Sequence, residues 1–408
     1  MDMQGLVSKV LRNLKDIERI FIQTMHHSID PKNFDGWHYR TATAIKRYTG
    51  YESILINPAP VDNPELRVIN GFNLILVPYM DLNKLPLHRW GHVSPSWVKL
   101  ARLLIKGLRK RGHKVYIFIH APRAFNSILL FRGIADLDAP IIMQHHGEKN
   151  YYYYFLKALQ EGIRNPVKLV DYYLMHLIDC SMARDSKIVY SLAGYDVHYY
   201  REVCGARSRI STMGVFFEDL KPLKNKCCGK IKRIIYVGGV RRGDWKGSDI
   251  LIRIYKALGG RRSGYELIIV GPIEDPDLYR IGKECGVVFT GKLKEHSEVI
   301  NLVNESDAYI ITARTSYYWG GPGVAIMEAM ALNVPVVSPT LSHVPSPDRE
   351  GLGIRIPWAD SLPFEELVRI VRSSLEALEG FELRPREVAE KYFSWRSIVR
   401  GYIRDLGL

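Results

Sequence analysis

One carboxylate, Glu328, lies inside the apolar segment VAIMEAMAL, directly after the glycine-rich stretch WGGPG. A buried acid costs free energy unless a donor or a cation pairs with it. Glycines at 320, 321 and 323 let a ligand approach the backbone closely. A helix that begins near Gly323 points unpaired N–H groups and the positive end of its dipole at an anion. Glu328 then lies about one turn further on, where its carboxylate can accept hydrogen bonds from a vicinal diol such as a ribose. A cap or a salt bridge to a neighbouring loop is the alternative.

A second glycine-rich and basic segment, YVGGVRRGDWKGSDILI, covers residues 236–252. The pattern predicts a strand that ends at two glycines, a loop that carries Arg241, Arg242 and Lys246, and a following helix. Arginine offers a planar fork to phosphate oxygens, and lysine supplies a mobile point charge. Together with the helix terminus near Gly323, these cations can neutralise a diphosphate without a metal ion. A solvated basic loop is the alternative.

Short apolar, β-branched runs alternate with helical periodicity along most of the chain, which predicts an α/β protein with doubly wound parallel sheets. One predicted helix covers 96–112. The polar, lysine-rich segment 216–233 separates two strand–helix series, so we predict a linker there, with domains at 1–220 and 221–385 and a helix at 386–408. The predicted strands are 17–24, 52–58, 73–79, 114–121, 140–146, 187–193, 233–239, 265–271, 287–291, 308–313 and 334–339.

The composition is that of a soluble globular protein, because 47% of the 408 residues are apolar and 25% are charged. No apolar run is long enough to span a bilayer and no signal peptide is recognisable, so we expect a cytoplasmic protein. The net charge of +14 suggests an anionic partner. No nucleic-acid-binding motif accompanies this charge, and nucleic acid is therefore the less favoured partner. The five cysteines show no metal-ligand spacing and are expected to be reduced thiols.

Taken in order, the motifs YVGG…KG, LIIVG, VVFTG and GGPGVAIMEAMALNVPVV resemble those of the family-four glycosyltransferases, a group of GT-B fold that retains configuration and uses nucleotide sugars. The resemblance is strongest over 233–345 and looser in the first half, through GWHYRTA, IHAP and QHHG. It implies two Rossmann-like domains that face a cleft, with the acceptor bound by 1–220, the donor by 221–385, and 386–408 crossing back to the first domain. It also implies hexosyl transfer from a nucleotide-diphosphate sugar, such as a UDP or GDP sugar, to a glycan or lipid-linked acceptor, without a metal or another cofactor.

The resemblance assigns roles to individual positions. It implies that Glu328 binds the donor ribose, and that Lys246 with Arg241 or Arg242 holds the diphosphate and stabilises its charge during the reaction. The other positions that it implies are the backbone at Gly239, Gly321, Gly323 and Val324 for the phosphates, the backbone around Lys292 for the nucleobase, His120 near the transferred sugar, and Gly36 near the donor phosphates or the acceptor.

Two positions depart from the family pattern. Gly320 stands where the family usually has a glutamate that contacts the donor sugar, and Gly239 stands where it often has an arginine. The displaced Arg241 and Arg242 compensate for the second departure. The first leaves open a non-catalytic sugar-nucleotide or glycan-binding protein of the same fold.

Three further patterns have weaker assignments. Adjacent residues of an extended chain point in opposite directions, so His145 and His146 are expected to contact the acceptor or the sugar, or simply to pack, rather than to chelate a metal. The triplet at 136–138 (DLD) resembles a metal-binding motif but lies in a predicted turn. Residues 98–114 contain seven Lys and Arg and no acid, which suits either a helix packed on its sheet or a helix at an anionic membrane surface. With the tyrosines at 151–154, the second alternative favours a lipid-linked acceptor and attachment to the inner face of the membrane.

Overall fold

The structure, a computed structural model, divides into two compact units, which we call unit 1 (residues 1–211 and 399–408) and unit 2 (residues 212–398). The residues that it describes are 2–14, 17–24, 37–69, 71–81, 92–120, 125–145, 150–162, 165–223, 230–315, 323–341, 344, 347, 349–380 and 383–408. None of the helices formed by these residues combines the length and the apolar character that a crossing of the bilayer requires.

Unit 1 is built on an eight-stranded sheet. Its strands are β1 (Arg19–Thr24), β2 (Glu52–Pro58), β3 (Glu65–Ile69), β4 (Phe72–Val77), β7 (Lys114–His120), β8 (Ile141–His145), β9 (Ile188–Ser191) and β10 (Ser208–Ile210), and a separate antiparallel pair is formed by β5 (Met80–Asp81) and β6 (His92–Val93). The order is β10-β9-β8-β7-β1-β2-β4-β3. All neighbours are parallel except β3, which pairs antiparallel with β4 at the edge. The central strands are buried, as their continuous apolar runs predict.

Helices cover this sheet. They are α1 (Met3–Asn13), α2 (Trp37–Thr49), α3 (Pro95–Lys110), α4 (Phe125–Ile134), α5 (Tyr151–Gln160), α6 (Pro166–Asp185) and α7 (Gly194–His198), and α7 continues into a π-helical turn at Tyr199–Val203. The basic helix α3 buries Trp97, Leu100, Leu104 and Leu108, which recur at three- and four-residue intervals. Its apolar face therefore packs in the core of unit 1, and the lysines and arginines point outward.

Unit 2 has a six-stranded, fully parallel sheet in the order β13-β12-β11-β14-β15-β16. Its strands are β11 (Arg233–Val237), β12 (Glu266–Val270), β13 (Val288–Gly291), β14 (Ala308–Ile310), β15 (Val336–Ser338) and β16 (Gly353–Arg355). Its helices are α8 (Ser248–Ala257), α9 (Pro276–Cys285), α10 (His296–Glu305), α11 (Val324–Ala331), α12 (Phe364–Gly380), α13 (Pro385–Phe393) and the start of α14 (Trp395–Leu406), with 3-10 turns at Phe217–Asp219 and Gly260–Ser263.

The two predicted parallel sheets are confirmed, and all eleven predicted strands are present within a few residues. The division between the units follows Ser211 rather than residue 220, because Val215 pairs with Ser394 and belongs to unit 2. The predicted single helix at 386–408 is two helices, since Ser394 has an extended backbone (ψ 137°) that ends α13. The last residues of α14, from Val399 onward, belong to unit 1.

The expectation of five reduced cysteines is wrong for one pair. Cys180 of α6 and Cys204 form a disulfide with the sulfurs 2.02 Å apart. The two residues are 24 positions apart and are brought together by the packing of α6 against the Tyr199–Val203 turn, which their spacing in the sequence does not reveal. Cys285 is a free thiol, and Cys227 and Cys228 lie outside the described residues.

Candidate functional site

The loops that follow the parallel strands of unit 2 leave from the same, carboxyl edge of its sheet. Strand β11 lies between β12 and β14 in the sheet. After β11 the chain adds β12 and β13 on one side of it, and then crosses to add β14 on the other side. Open α/β sheets bind ligands at such a change of direction. The two loops that flank this point are 238–247, after β11, and 311–323, after β14; residues 316–322 of the second loop lie outside the described part.

The two loops are held against each other by main-chain contacts. Gly247 has a left-handed backbone (φ 79°), and a Cβ at this position would stand 1.9 Å from the carbonyl oxygen of Thr312. The Thr312 hydroxyl donates to the Gly247 carbonyl oxygen over 2.8 Å. The backbone N–H of Arg314 donates to the Trp245 carbonyl oxygen over 2.9 Å. Only glycine permits this approach, so Gly247 fixes where the loop that carries Lys246 runs.

The Arg314 side chain joins the same two loops by charge. Its guanidinium makes two parallel hydrogen bonds to the Asp249 carboxylate, of 2.9 and 2.6 Å, and a further one to the Asp244 carbonyl oxygen. Burial raises the pKa of Asp249, but the hydrogen bonds from Arg314 and from the Gly243 N–H outweigh it, and the pKa is lower than usual. A second acid, Asp360, accepts from the N–H and hydroxyl of Thr315 over 2.7 and 2.6 Å. Residues 314 and 315 are thereby anchored immediately before the glycine-rich segment.

The cations of loop 238–247 differ in their surroundings. Lys246 is half-buried with its Nζ 5.2 Å from the centre of the Trp245 ring. Burial lowers the pKa of Lys246, and the carboxylate of Asp244 opposes that change. Arg241 is about half exposed and pairs with Asp244 (3.2 Å) and Glu274 (3.6 Å). The hydrogen bond to Asp244 is the main reason that the Arg241 pKa is raised.

Arg242 is directed to a different set of acids. Its guanidinium lies 3.4 Å from Asp275 and 3.7 Å from Asp277, both at the start of α9. Of the two predicted arginines, Arg241 is therefore the one that shares the acid Asp244 with Lys246. The same loop begins at Gly239, where a Cβ would stand 3.3 Å from a carboxylate oxygen of Glu274.

The predicted ribose carboxylate lies one turn into α11. Gly323 is the N-cap residue of this helix and Val324 is its first residue, so the helix begins where the sequence predicts it. The N–H groups of its first turn have no partner within the helix. The Glu328 side chain is 7% exposed, and its Oε1 lies 3.0 Å from Nε2 of His296, whose side chain is 48% exposed. The acid that the sequence leaves unpaired therefore has a partner at the start of α10. Gly320 and Gly321 lie outside the described residues.

Residues 231–368 match the family described as glycosyl transferases group 1, and no curated protein matches the chain. This match covers the six strands of unit 2, the loops 238–247 and 311–323, and Glu328. Over these residues the chain is similar to the group 1 glycosyl transferases. Its matched region lies entirely in unit 2, which agrees with the stronger resemblance that the sequence shows there.

Solved structures share the fold of this chain at low sequence identity. A structure described as trehalose-6-phosphate from E. coli bound with UDP-2-fluoro glucose has a TM-score of 0.63 and 10% identity, with 95% of this chain and 98% of that chain covered. A trehalose-6-phosphate synthase from work on glycosyl transfer with retention has a TM-score of 0.61 and 11% identity, covering 96% and 99%. WaaG, a glycosyltransferase of lipopolysaccharide biosynthesis, has a TM-score of 0.59 and 14% identity, covering 95% and 100%. These likenesses confirm the GT-B fold.

In unit 1, two of the predicted site residues end neighbouring strands. His120, the last residue of β7, is fully buried, and its Nε2 lies 3.2 Å from Oε1 of Gln23. Gln23 in turn donates to the Ser53 hydroxyl over 3.1 Å. His145, the last residue of β8, is also buried, with its Nδ1 3.6 Å from Asp196. Both histidines lie at the carboxyl edge of the sheet; Gly36 and His146 lie outside the described residues.

Three residues of the site were missed from the sequence. Arg314, Asp249 and His296 lie on the loops or helices that follow β14, β11 and β13. That placement is the one signal of them in the sequence, and it does not show which of them contact each other. Lys292, the predicted base-facing position, is exposed four residues before His296. The discounted triplet at 136–138 contributes two surface ion pairs, Asp136 with Arg102 (2.5 Å) and Asp138 with Arg109 (2.9 Å).

Proposed function

We propose that the chain is a retaining, metal-independent glycosyltransferase that moves a sugar from a nucleotide-diphosphate sugar to a glycan or lipid-linked acceptor. The observation that carries the proposal is the arrangement at the β11/β14 edge. There Lys246 lies in the loop after β11, and α11, which begins at Val324 and carries Glu328, follows the loop after β14; this arrangement supports a site for a diphosphate and an adjoining ribose. The acceptor is assigned to unit 1, where His120 and His145 end their strands.

The proposed chemistry is electrostatic. As the bond between the sugar and the phosphate breaks, negative charge accumulates on the departing diphosphate, and donors already aimed at it lower the barrier. Lys246 is suited to this role because it is a half-buried cation with one nearby acid, Asp244. Arg241 and the N–H groups at Val324 add to it. Since protein cations neutralise the diphosphate, we expect no requirement for a divalent metal or another cofactor.

Retention is supported by the trehalose-6-phosphate synthase neighbour, which was solved in work on glycosyl transfer with retention. The donor class is supported by the E. coli neighbour, which holds UDP-2-fluoro glucose.

A panel of UDP-, GDP-, ADP- and dTDP-sugars, screened by thermal shift and then by turnover, tests the proposal. A donor at 100 times its dissociation constant stabilises the protein by about 2.7 kcal/mol. With that donor, Lys246→Ala is expected to lower kcat/KM by about 100-fold or more. Lys256→Ala, an exposed lysine of α8, is the matched control. The rate should be the same with and without EDTA, and NMR of the product should show the donor's anomeric configuration.

Binding of a donor without turnover, across a broad acceptor pool, would favour the alternative of a non-catalytic sugar-nucleotide-binding protein, which the glycine at position 320 motivates. Binding of no donor at all would contradict both. An acceptor screen with His120→Ala and His145→Ala then tests whether unit 1 binds the acceptor.

We propose that helices α5 and α6, rather than the basic helix α3, attach the protein to an anionic membrane. The apolar face of α3 is already buried in the core of unit 1. Helices α5 and α6 contact each other through the ring pairs Tyr154–Tyr172 and Phe155–Tyr173. They also expose an apolar face, in which the α6 residues recur at helical intervals. Its members are Tyr153, Leu156, Leu159, Val167, Val170, Tyr173, Leu174 and Leu177, each between 38% and 70% exposed. Exposed lysines at 157 and 168 lie on the same helices, and tyrosine with lysine is typical of membrane interfaces.

Flotation with vesicles of phosphatidylglycerol and phosphatidylcholine tests this attachment. We expect the wild type to float with the vesicles and the double variant Val170→Glu/Leu174→Glu to stay at the bottom. Val68→Glu, at a residue of β3 that is 62% exposed, is the control and should float. No flotation of the wild type would refute the attachment and leave the transferase proposal untouched.

A further inference from the structure

A side-chain hydrogen bond between α10 and α11 joins His296 to Glu328, at 3.0 Å from Nε2 to Oε1. A carboxylate accepts hydrogen bonds and the histidine N–H donates, so this bond requires the proton to be on Nε2. His296 is the first residue of α10. It follows β13 by only a few residues, on the loop assigned to the nucleobase.

The backbone of His296 is fixed by the start of its helix. Glu295 and Glu298 form a capping box, in which the Glu295 N–H donates to the Glu298 carboxylate over 2.9 Å. Such reciprocal bonds hold the first turn of a helix in place. The imidazole therefore extends from a rigid position toward α11.

Glu328 needs such a partner. Its neighbours along α11, Met327 and Ala329, are fully buried, and its own carboxylate is almost removed from water. A charge in these surroundings is costly without a donor. An ionised carboxylate has about four acceptor positions, so a bond to His296 is compatible with further bonds to the two hydroxyls of a ribose.

We propose that His296 is a positioning residue for the donor ribose: by donating to Oε1, it holds the Glu328 carboxylate in the orientation that accepts the 2′- and 3′-hydroxyls. This inference rests on the proposed role of Glu328 and adds a residue to it. Loss of the imidazole removes this constraint on the orientation of the carboxylate, and the preference for ribose over 2′-deoxyribose falls.

Isothermal titration calorimetry with ADP, GDP, UDP and CDP, each beside its 2′-deoxy counterpart, tests the proposal on the full chain. The variants are His296→Ala, His296→Gln, Glu328→Gln and the double variant His296→Ala/Glu328→Gln. Ser297→Ala, at the next and exposed position of α10, is the matched control. The glutamine of His296→Gln keeps an N–H donor on a side chain of similar reach.

His296→Ala is expected to weaken binding of the preferred ribonucleotide by about tenfold, or 1.4 kcal/mol, and to change 2′-deoxy binding far less. His296→Gln should recover most of the loss, and Ser297→Ala should match the wild type. In the Glu328→Gln background, His296→Ala should have no further effect, because the two residues act as one unit.

A His296→Ala variant that keeps the full ribose preference, binds more tightly, or loses affinity equally with and without Glu328 would overturn the role of His296 alone. A wild type that binds no nucleoside diphosphate, or shows no ribose preference, would instead overturn the proposed donor site itself, and the inference with it.

Discussion

Gly247→Ala tests the close approach that holds the Lys246 loop against the loop after β14. An alanine at this position keeps a left-handed backbone (φ 79°) only at a cost of about 1–2 kcal/mol. Its Cβ would also stand 1.9 Å from the Thr312 carbonyl oxygen, so the two loops must separate by about 1.5 Å to reach ordinary contact. Overpacking of this kind costs about 1–3 kcal/mol more.

Gly243→Ala, in the same loop, separates the two contributions. Gly243 is also left-handed (φ 70°), but a Cβ there would meet nothing within 4 Å. The Gly243→Ala variant is therefore destabilised by the backbone conformation alone. We expect the transition temperature of unit 2, measured by scanning calorimetry, to fall further in Gly247→Ala than in Gly243→Ala, by roughly 2–4 °C for each additional kcal/mol.

Donor binding should separate the two variants more clearly than stability does. Because displacement of the loop moves Lys246, we expect Gly247→Ala to lose at least about tenfold in nucleoside-diphosphate affinity, which corresponds to 1.4 kcal/mol. Gly243→Ala should remain within about threefold of the wild type, about 0.6 kcal/mol. Equal melting temperatures and equal affinities for the two variants would refute the contact between Gly247 and Thr312 as the feature that positions Lys246.

Two other substitutions test one ion pair in each unit. Asp249→Asn removes a carboxylate whose pKa Arg314 lowers; that stabilisation is present above the unfolded pKa of about 3.9 and is lost as pH falls through the lower folded value. At pH 7 the variant should thus be less stable by about 2 kcal/mol, which is measured as a lower urea midpoint. In acid the urea midpoints of the variant and the wild type should converge. Asp405→Ala should destabilise unit 1 by about 2 kcal/mol, since this buried acid pairs with Arg209 at 2.9 Å. Asp138→Ala, at an almost fully exposed side chain, is the control. It should change the free energy of unfolding by less than about 0.5 kcal/mol.

The sheets could be predicted because strands buried on both faces are continuous apolar runs. The missed strands lack that signal. In edge strand β3, ELRVI, all five residues are exposed or half-exposed, the apolar ones included. Strands β10 and β16 have only three residues each, which is too short for a period to be recognised, and their pairing partners rather than their own composition make them strands.

The site was predictable where the chemistry is local and unpredictable where partners come from distant elements. Glycines and cations beside a strand end mark the Lys246 loop, and one acid in an apolar helix marks Glu328. Its partner His296 is 32 residues away, and the bond from Arg314 to Asp249 spans 65. No local pattern encodes such contacts, because the packing of separate βα units creates them. For the same reason the sequence could not show that Arg242 is paired with acids of α9.

Unit 1 is formed by two segments of the chain, residues 1–211 and 399–408, and this division affects the order in which the units can fold during synthesis. Its core includes Tyr402, which is fully buried against Phe118 and Tyr190, yet the ribosome makes this residue only after all of residues 212–398. Chains fold from the N-terminus as they emerge, so unit 2 has its whole sequence available while unit 1 still lacks its final helix. A nascent chain arrested before residue 399 should therefore expose to proteases a surface of unit 1 that the released protein covers.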